Sequence, residues 1–298
     1  MLVYFTKNML SHETIKSELL TKGYCLVPNI LTSEEIDNSL DMFRQWQETI
    51  PNHDRIHNTC DPHGIYKFHQ VGHQRHAWYI RTNSKVQEVF KKLWDTEELI
   101  VSFDGSCYIP KSLEKKDNIW THTDQASNSP ELKCYQGLVS LTDNTERTLV
   151  VYEGSHLLHQ SYFAERNIKD SKNWNKIEPT YLNTIRDSKR ILNVPKGTLV
   201  LWDSRTFHQN QYGLGNSEER MVQYVCYFPR NHPKNTTKMN EKRKKYFIEK
   251  RTTSHWPAPV SVNSLQPRTF GNPNLQIDYG LLTEPDLSDM MSDIEKLL

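Results

Sequence analysis

The chain has 298 residues, with 37 Lys and Arg against 36 Asp and Glu, so the formal net charge is +1 and the sequence pI is about 7.7. This balance gives no global electrostatic reason to bind nucleic acid or an anionic membrane. The composition, 36% hydrophobic with a mean hydropathy of -0.74, predicts a folded globular chain without an apolar run of the roughly 18 residues that cross a bilayer.

The predicted cellular compartment follows from the N-terminus and the cysteines. The opening segment MLVYFTKNML is too short and too lightly apolar for a signal peptide. The five cysteines are scattered and never form a C-x-x-C pair, which argues against a disulfide framework and a cysteine zinc site. We therefore predict a cytoplasmic monomer or homodimer with no nucleic-acid or membrane partner.

The N-terminal region predicts a helix followed by a short strand. Residues 12–22 have helical character, and Gly23 ends them. The next five residues, Tyr24 to Pro28, have the composition of a short strand.

Two further helices are predicted before residue 98. Thr32, with Glu35 three positions later, is a capping-box signal that opens a helix through about Trp46. Residues 84–94 carry apolar side chains at the i, i+3, i+4, i+7 and i+8 positions of an amphipathic helix.

From residue 98 the pattern changes to short apolar or alternating runs separated by turn residues. Many short strands at this density predict an all-β sandwich or barrel. The polar segment 157–193 interrupts them and predicts an excursion with its own helices. The predicted strands are 99–103, 119–124, 134–141, 148–152, 198–202 and 220–228.

The C-terminal region is polar and basic. Residues 238–251 carry seven Lys or Arg, interrupted by three apolar or aromatic residues, which predicts an amphipathic helix with a solvated face. The last fifteen residues place Leu287, Met290, Ile294 and Leu297 on one helical stripe.

These patterns predict a single domain over residues 1–298. Residues 1–97 supply N-terminal helices and a loop that pack on the core. Residues 98–230 form the β core with the 157–193 insertion, and residues 231–298 form a C-terminal helical extension.

The first chemical signal is a histidine followed two positions later by a carboxylate. Among the thirteen histidines, His122 alone has this spacing, to Asp124. Residues i and i+2 of a strand point to the same face, so the two side chains would lie side by side. Non-haem Fe(II) oxygenases hold iron with two histidines and one carboxylate, leaving positions open for a co-substrate and O₂. Taken alone, the pair also fits a polar patch on a strand surface.

Two later residues complete a possible site. His208 follows an apolar strand and its turn, where a sandwich would deliver it beside the first pair. Arg220 opens the next strand, which we expect to run back alongside the strand that bears His208. A guanidinium binds a carboxylate through two charge-assisted hydrogen bonds and suits the far end of a dicarboxylate that chelates iron. The alternative for Arg220 is a surface charge at a strand edge.

The ordered motifs resemble the phytanoyl-CoA dioxygenase family of Fe(II)/2-oxoglutarate-dependent oxygenases. They are W-T-H-T-D at 120–124, L-V-V-Y-E-G-S-H at 149–156 and P-K-G-T-L-V-L-W-D-S-R-T-F-H at 195–208, followed by Arg220. The stretch G-Y-C-L-V-P-N-I-L-T-S-E-E-I near the N-terminus is similar to that family's usual opening, so the resemblance covers about residues 20 to 230.

The resemblance implies a mainly β fold with flanking helices, around a double-stranded β-helix (jelly-roll, cupin-like) core. It also implies that His122, Asp124 and His208 bind iron and that Arg220 binds the far carboxylate of 2-oxoglutarate. Relatives that halogenate lack the carboxylate ligand, so Asp124 favours hydroxylation. The implied reaction consumes 2-oxoglutarate and O₂, forms succinate and CO₂, and hydroxylates an unidentified small-molecule or lipid-like substrate.

Further residues are candidates for the same site. Lys67 lies where some family members place a lysine that helps to bind 2-oxoglutarate. Asn210 shares the strand face of His208, and Gln136 points inward from its own strand, so both are candidate co-substrate contacts. Each also fits a structural role. The candidate substrate contacts are Trp120, Trp202 and Arg81.

Six histidines lie within residues 53–76. His69 and His73 have the i, i+4 spacing of helical zinc ligands. Gly64 and Gly72 disfavour a continuous helix, so we predict a loop or lid near the active site with mostly solvated histidines.

Other functions remain open at the level of sequence. One is a jelly-roll binding or structural module that keeps the ligands without turnover. Another is a cupin-type metal dioxygenase that does not use 2-oxoglutarate. A nucleic-acid demethylase of this superfamily would carry a second arginine six residues after the first, and that position holds Cys226.

Overall fold

The structure, a computed structural model, describes residues 10–51, 53–60 and 62–298. The opening nine residues, where the sequence predicts no signal peptide, lie outside the described residues. The described strands, in chain order, are β1 (Tyr24–Val27), β2 (Ile65–Tyr66), β3 (Leu99–Val101), β4 (Ser106–Ile109), β5 (His122–Thr123), β6 (Tyr135–Ser140), β7 (Leu149–Tyr152), β8 (Asn175–Lys176), β9 (Lys189–Ile191), β10 (Leu199–Asp203), β11 (His208–Asn210), β12 (Arg220–Val225) and β13 (Tyr227–Pro229).

The helices surround these strands, as a mainly β fold with flanking helices predicts. Among the described residues, every helix is too short or too polar to cross a bilayer. The described α-helices are α1 (His12–Lys22), α2 (Ser33–Glu48), α3 (His53–Cys60), α4 (Arg75–Thr82), α5 (Ser84–Trp94), α6 (Ser155–Glu165), α7 (Pro179–Thr184), α8 (Thr237–Ile248) and α9 (Met291–Glu295).

The described strands form two main antiparallel sheets. The larger has the order β1-β10-β6-β12-β4-β2 and the smaller has the order β8-β5-β11-β7-β9. From β4 to β7, and again from β9 to β12, successive strands alternate between the two sheets. The inner faces share one apolar cluster, in which Val200 and Val222 of the larger sheet join Leu149 and Val151 of the smaller.

The predicted N-terminal helices form with the predicted caps. Gly23 ends α1 in the left-handed conformation at φ 84°, which glycine adopts without a steric penalty. Thr32 and Glu35 form the reciprocal capping box of α2. The apolar faces of α2 and α5 cover the outer face of the larger sheet, where Phe43 and Phe90 are buried.

The N-terminal segment also contributes strands to the larger sheet. β1 pairs with β10 at one edge, and β2 pairs with β4 at the other. Both edge strands of the sheet are therefore short segments that precede residue 98, and they pair with the backbone groups of β10 and β4.

The C-terminal extension is fastened to the core by a buried arginine. Arg243 of α8 donates hydrogen bonds to the carbonyls of Pro257, Val101 and Leu297 at 2.8 to 3.0 Å. In the predicted apolar stripe near the C-terminus, Met290, Ile294 and Leu297 are buried and Leu287 is partly buried. The last residues of the chain therefore pack against the strands that precede the site.

The prediction of a solvated histidine loop over residues 53–76 is wrong. The segment contains α3, the short strand β2 and the start of α4. His57, His69, His73 and His76 are each 1% exposed. Ring packing accounts for the burial of two of them, because His57 stacks on Tyr66 and His76 lies edge-on to Phe43.

Candidate metal centre

Two histidines and one aspartate converge at the junction of β5 and β11. Nε2 of His122 lies 3.5 Å from Oδ1 of Asp124, and Nε2 of His208 lies 3.2 Å from Oδ2 of the same carboxylate. One candidate ligand atom from each residue lies within 4.8 Å of the others. Among the described residues, this is the one such cluster of three or more His, Cys, Asp or Glu side chains. His69 and His73, whose i, i+4 spacing would suit zinc only in a helix, belong to no such cluster among the described residues.

Backbone carbonyls fix the orientation of both imidazoles. Nδ1 of His122 contacts the carbonyl of Trp120 at 3.2 Å, and Nδ1 of His208 contacts the carbonyl of Thr206 at 2.9 Å. A carbonyl only accepts, so each Nδ1 carries the proton and each Nε2 keeps its lone pair for a metal. Metal-binding histidines in proteins are oriented in this way.

The carboxylate of Asp124 is positioned from both sides. Gln136, on β6 of the opposite sheet, donates from Nε2 to Oδ2 of Asp124 at 3.0 Å. The backbone N–H of Asp124 donates to the carbonyl of Ser204 at 3.1 Å. Gln125, the next residue, is tied to the same segment, because its Oε1 accepts a hydrogen bond from Ser204 Oγ at 2.8 Å. The ligand is therefore held before any metal binds.

Burial and neighbouring groups favour an ionised carboxylate beside His122. Burial lowers the pKa of His122, which favours the neutral imidazole that a metal requires. Burial alone would raise the pKa of Asp124, but the imidazoles of His255 and His122 hold it well below its usual value. The site therefore combines two imidazoles with a carboxylate, a donor set suited to a divalent cation.

Arg220 points into the space between the two sheets. It lies two positions before Val222 on β12, so the two side chains share one face of the strand. Val222 belongs to the apolar cluster between the sheets. The side chain is buried, and among the described residues its Nε and Nη1 have no hydrogen-bond partner and no carboxylate lies within 4.0 Å. A buried guanidinium without a partner is costly, which indicates that an anionic ligand binds there.

The prediction that the strand of Arg220 runs beside that of His208 is wrong. β12 pairs with β4 and β6 in the larger sheet, whereas β11 pairs with β5 and β7 in the smaller. Arg220 therefore enters the space between the sheets from the larger sheet, opposite the strand of His208 in the smaller sheet. A ligand that links the metal position to Arg220 has to bridge the two sheets.

Trp120, Trp202 and Asn210 lie around the ligands. The Trp120 ring stacks on His122 with centroids 4.8 Å apart, and its indole N–H donates to the carbonyl of Asn210 at 2.9 Å. Trp202 lies 5.4 Å from the His208 ring. The amide of Asn210 donates to the hydroxyl of Tyr224 at 2.9 Å.

Arg81 does not face the metal centre. It is fully buried, and its Nη1 and Nη2 donate at 2.5 Å to the carbonyls of Gly72 and Asp104. The suggestion that Arg81 recognises an acidic substrate is therefore wrong, because its two amino groups already hold backbone carbonyls.

Lys67 follows β2 on a loop and is half-buried. It is close enough to His63 to lower the pKa of that imidazole, whose burial is the main cause of its value of about 4. It also lines a small cavity with Gln70 and Arg251.

Two aromatic residues near the ligands were not singled out from the sequence. His63 stacks on Trp120 with centroids 3.6 Å apart, and Trp174 stacks on His122 at 5.3 Å. Both lie in the segments 53–76 and 157–193, which carry no spacing motif. Ring contacts between distant segments leave no local sequence signal.

The sequence matches the family model of phytanoyl-CoA dioxygenase (PhyH) over residues 19–212. It is also similar to the Ava biosynthesis cluster protein O of Aspergillus versicolor. The two are 26% identical over 265 residues, which cover 81% of this chain and 85% of the relative.

Solved structures share the fold at low sequence identity. EctD from S. alaskensis, solved with 2-oxoglutarate and 5-hydroxyectoine, has a TM-score of 0.52 and 15% identity, covering 76% of this chain and 78% of its own. HygX from Streptomyces hygroscopicus, solved with nickel and 2-oxoglutarate, has a TM-score of 0.52 and 12% identity, covering 74% of this chain and 88% of its own.

Proposed function

The chain belongs to the phytanoyl-CoA dioxygenase family, and we propose that it hydroxylates an unactivated C–H bond of a small-molecule or lipid-like substrate. Fe(II), O₂ and 2-oxoglutarate are the metal and co-substrates of this enzyme class. The observation that carries the proposal is the convergence of His122, Asp124 and His208 in one buried cluster.

The three side chains fit a metal ion of this kind. Two imidazoles and one carboxylate on a single side would leave the remaining metal positions open, which is the donor set of non-haem iron oxygenases. The backbone carbonyls behind both Nδ1 atoms and the amide of Gln136 supply the outer contacts that orient such ligands.

Arg220 fits the far carboxylate of 2-oxoglutarate. Its unpartnered Nε and Nη1 leave buried, charged N–H donors free for the oxygens of a carboxylate. An anion at this position would offset the cost of burying the guanidinium. The cluster of His122, Asp124 and His208 would then hold the chelating end of the keto acid through its metal.

Fe(II) held by these residues would supply the chemistry by which one atom of O₂ enters the C–H bond and the other enters succinate, as 2-oxoglutarate loses CO₂. Asp124 would complete the ligand set, and relatives that halogenate lack this carboxylate, which supports hydroxylation. The residues of the chain would bind the metal and the co-substrate, orient the substrate and exclude water from the site. Trp202, only 3% exposed, walls the site beside His208.

We assign supporting roles to five other residues. Gln136 positions Asp124, and Asn210 and Tyr224 form a polar pair between the sheets that is available to the co-substrate. Trp120 would line the site beside His122, on which it stacks. Lys67 would add positive charge near the keto acid, a role supported by its electrostatic contact with His63.

We also propose that the two sheets form a double-stranded β-helix, or jelly-roll. The alternation of successive strands between the sheets supports this topology. In this view residues 98–230 are the catalytic core, with 157–193 as its insertion and 1–97 and 231–298 as its extensions, all in one domain. We propose a cytoplasmic enzyme, monomeric or homodimeric.

The proposed function is tested by the turnover of 2-oxoglutarate alone. The purified protein is supplied with Fe(II), 2-oxoglutarate and air, and succinate is measured by proton NMR. Slow succinate formation that is lost in His208→Ala supports the proposal, because uncoupled decarboxylation requires the metal site and not the substrate. Decarboxylation in Arg220→Ala at the wild-type rate would contradict the assigned co-substrate site.

A further inference from the structure

Trp174 is a large aromatic residue left open to solvent beside a candidate metal ligand. It is 51% exposed, whereas His122, on which it stacks, is 5% exposed. The centroids of these two rings are 5.3 Å apart and their planes differ by 28°. Folded proteins bury most tryptophan surface because it is strongly apolar. One face of this indole therefore has a partner in the protein and the other faces water.

The insertion delivers Trp174 to the edge of the metal site through a short strand pair. β8 pairs antiparallel with β5, so that Lys176 lies opposite His122 and Asn175 lies opposite Thr123. If this antiparallel register is continued by one residue, Trp174 lies opposite Asp124. Direct cross-strand partners project to the same face of a sheet, so this indole lies on the ligand side of β5.

Trp174 is the solvent end of a column of four rings. His63 and Trp120 are 3.6 Å apart with planes 14° different, and Trp120 and His122 are 4.8 Å apart with planes 22° different. The inner rings are held by hydrogen bonds, including the indole N–H of Trp120 to the carbonyl of Asn210. The column therefore fixes the plane of the Trp174 ring and presents its outer face as a flat platform.

From this arrangement we propose that Trp174 determines substrate specificity and that the substrate carries a planar, unsaturated ring. The ring stacks on the open face of the indole, and the rest of the substrate extends past the edge of the indole toward His122 and Asp124. Offset stacking of π systems favours a flat ring over a saturated one of the same size. The proposal rests on the function proposed above, since it names the substrate class of that same site.

The test measures binding without turnover. The protein is loaded with Ni(II) and 2-oxoglutarate, and two probes of equal skeleton, 2-naphthol and decahydro-2-naphthol, are titrated by calorimetry. The planar probe should bind about three- to tenfold more tightly than the saturated one. Trp174→Ala should lose this preference, and Trp174→Phe should keep most of it. Leu157→Ala removes an exposed apolar side chain from α6 of the same insertion and is the matched control, which should bind like wild type.

The outcomes separate this proposal from the proposed function. Failure of the wild-type protein to bind Ni(II) and 2-oxoglutarate would defeat the proposed function itself. If both bind, equal affinity for the two probes, no affinity for either, or unchanged naphthol binding in Trp174→Ala would overturn the role of Trp174 alone. A loss of 2-oxoglutarate affinity in Trp174→Ala as large as its loss of naphthol affinity would make this residue a support of the metal site and would also overturn the proposal.

Discussion

His122 and His208 are direct partners in the antiparallel pair of β5 and β11, with their ring centroids 4.4 Å apart. β5 is two residues long, so few of its own backbone hydrogen bonds hold it in place. A metal bound by both rings would join two strands from distant parts of the chain. Metal binding and fold stability are therefore coupled at this site.

The first prediction concerns this coupling. Ni(II) at about 100 times its dissociation constant should raise the free energy of unfolding by about 2.7 kcal/mol, because the ligand set exists only in the folded chain. His208→Ala should lose this gain, and His12→Ala, a histidine of α1, should keep it. Thermal denaturation with and without Ni(II) measures both. An equal gain in His208→Ala would place the bound metal elsewhere.

A second prediction compares two buried arginines. Arg243 donates to three carbonyls, so Arg243→Met should cost about 3 kcal/mol or more of unfolding free energy. Arg220 has two unpartnered nitrogens, so Arg220→Met should leave the stability of the protein without 2-oxoglutarate unchanged or higher. The same variant should lose the stabilisation that 2-oxoglutarate gives to the wild type. Chemical denaturation measures the stability of both variants and the stabilisation by 2-oxoglutarate. A large loss in ligand-free Arg220→Met would mean that the guanidinium has a structural role.

A third prediction concerns the amide of Gln136. Gln136→Leu removes the donor to Oδ2 of Asp124 and should weaken metal affinity about 10- to 100-fold, the usual effect of losing an outer contact to a ligand. Metal titration by calorimetry measures the change. Gln211→Leu is the control, because the Gln211 amide donates to the carbonyl of Glu146, away from Asp124. Wild-type affinity in Gln136→Leu would show that Asp124 needs no support from the opposite sheet.

The fourth prediction is a loss of stability in mild acid. Burial lowers the pKa of His73 and that of His76 to about 3, below the ordinary value of 6.5. Both imidazoles are neutral in the fold but take up protons in the unfolded chain below pH 6.5. The stability they contribute is therefore complete above pH 6.5 and declines as pH falls toward 3, by about 1.4 kcal/mol per pH unit for each group.

Denaturation between pH 7 and pH 4 measures this slope. His73→Phe should reduce it by about 1.4 kcal/mol per pH unit, whatever its effect on stability at pH 7, because phenylalanine takes up no proton. An unchanged slope in His73→Phe would mean that His73 is protonated in the folded protein.

Two of the three candidate metal ligands could be predicted from a local signal in the sequence. The i, i+2 spacing of His122 and Asp124 requires only a strand, and the capping box of α2 requires only Thr32 and Glu35. The family motifs then supplied His208, whose strand has only three residues and no periodic pattern of its own.

The sequence could not predict contacts that depend on which sheet a strand joins. Arg220 was expected beside the strand of His208, but it lies across the sandwich because β12 pairs with β4 and β6. The burial of His73 and the carbonyl contacts of Arg81 arise where α4 and its preceding turn pack against the core. The position of Trp174 depends on a two-residue strand within a polar segment.

We propose that His122, Asp124 and His208 hold one ferrous ion with open positions for a keto acid. Under anaerobic conditions, Fe(II) and 2-oxoglutarate added to the wild-type protein should give a weak visible charge-transfer band, and His122→Ala should show none. A wild-type protein without the band, or His122→Ala with the same band, would contradict the account.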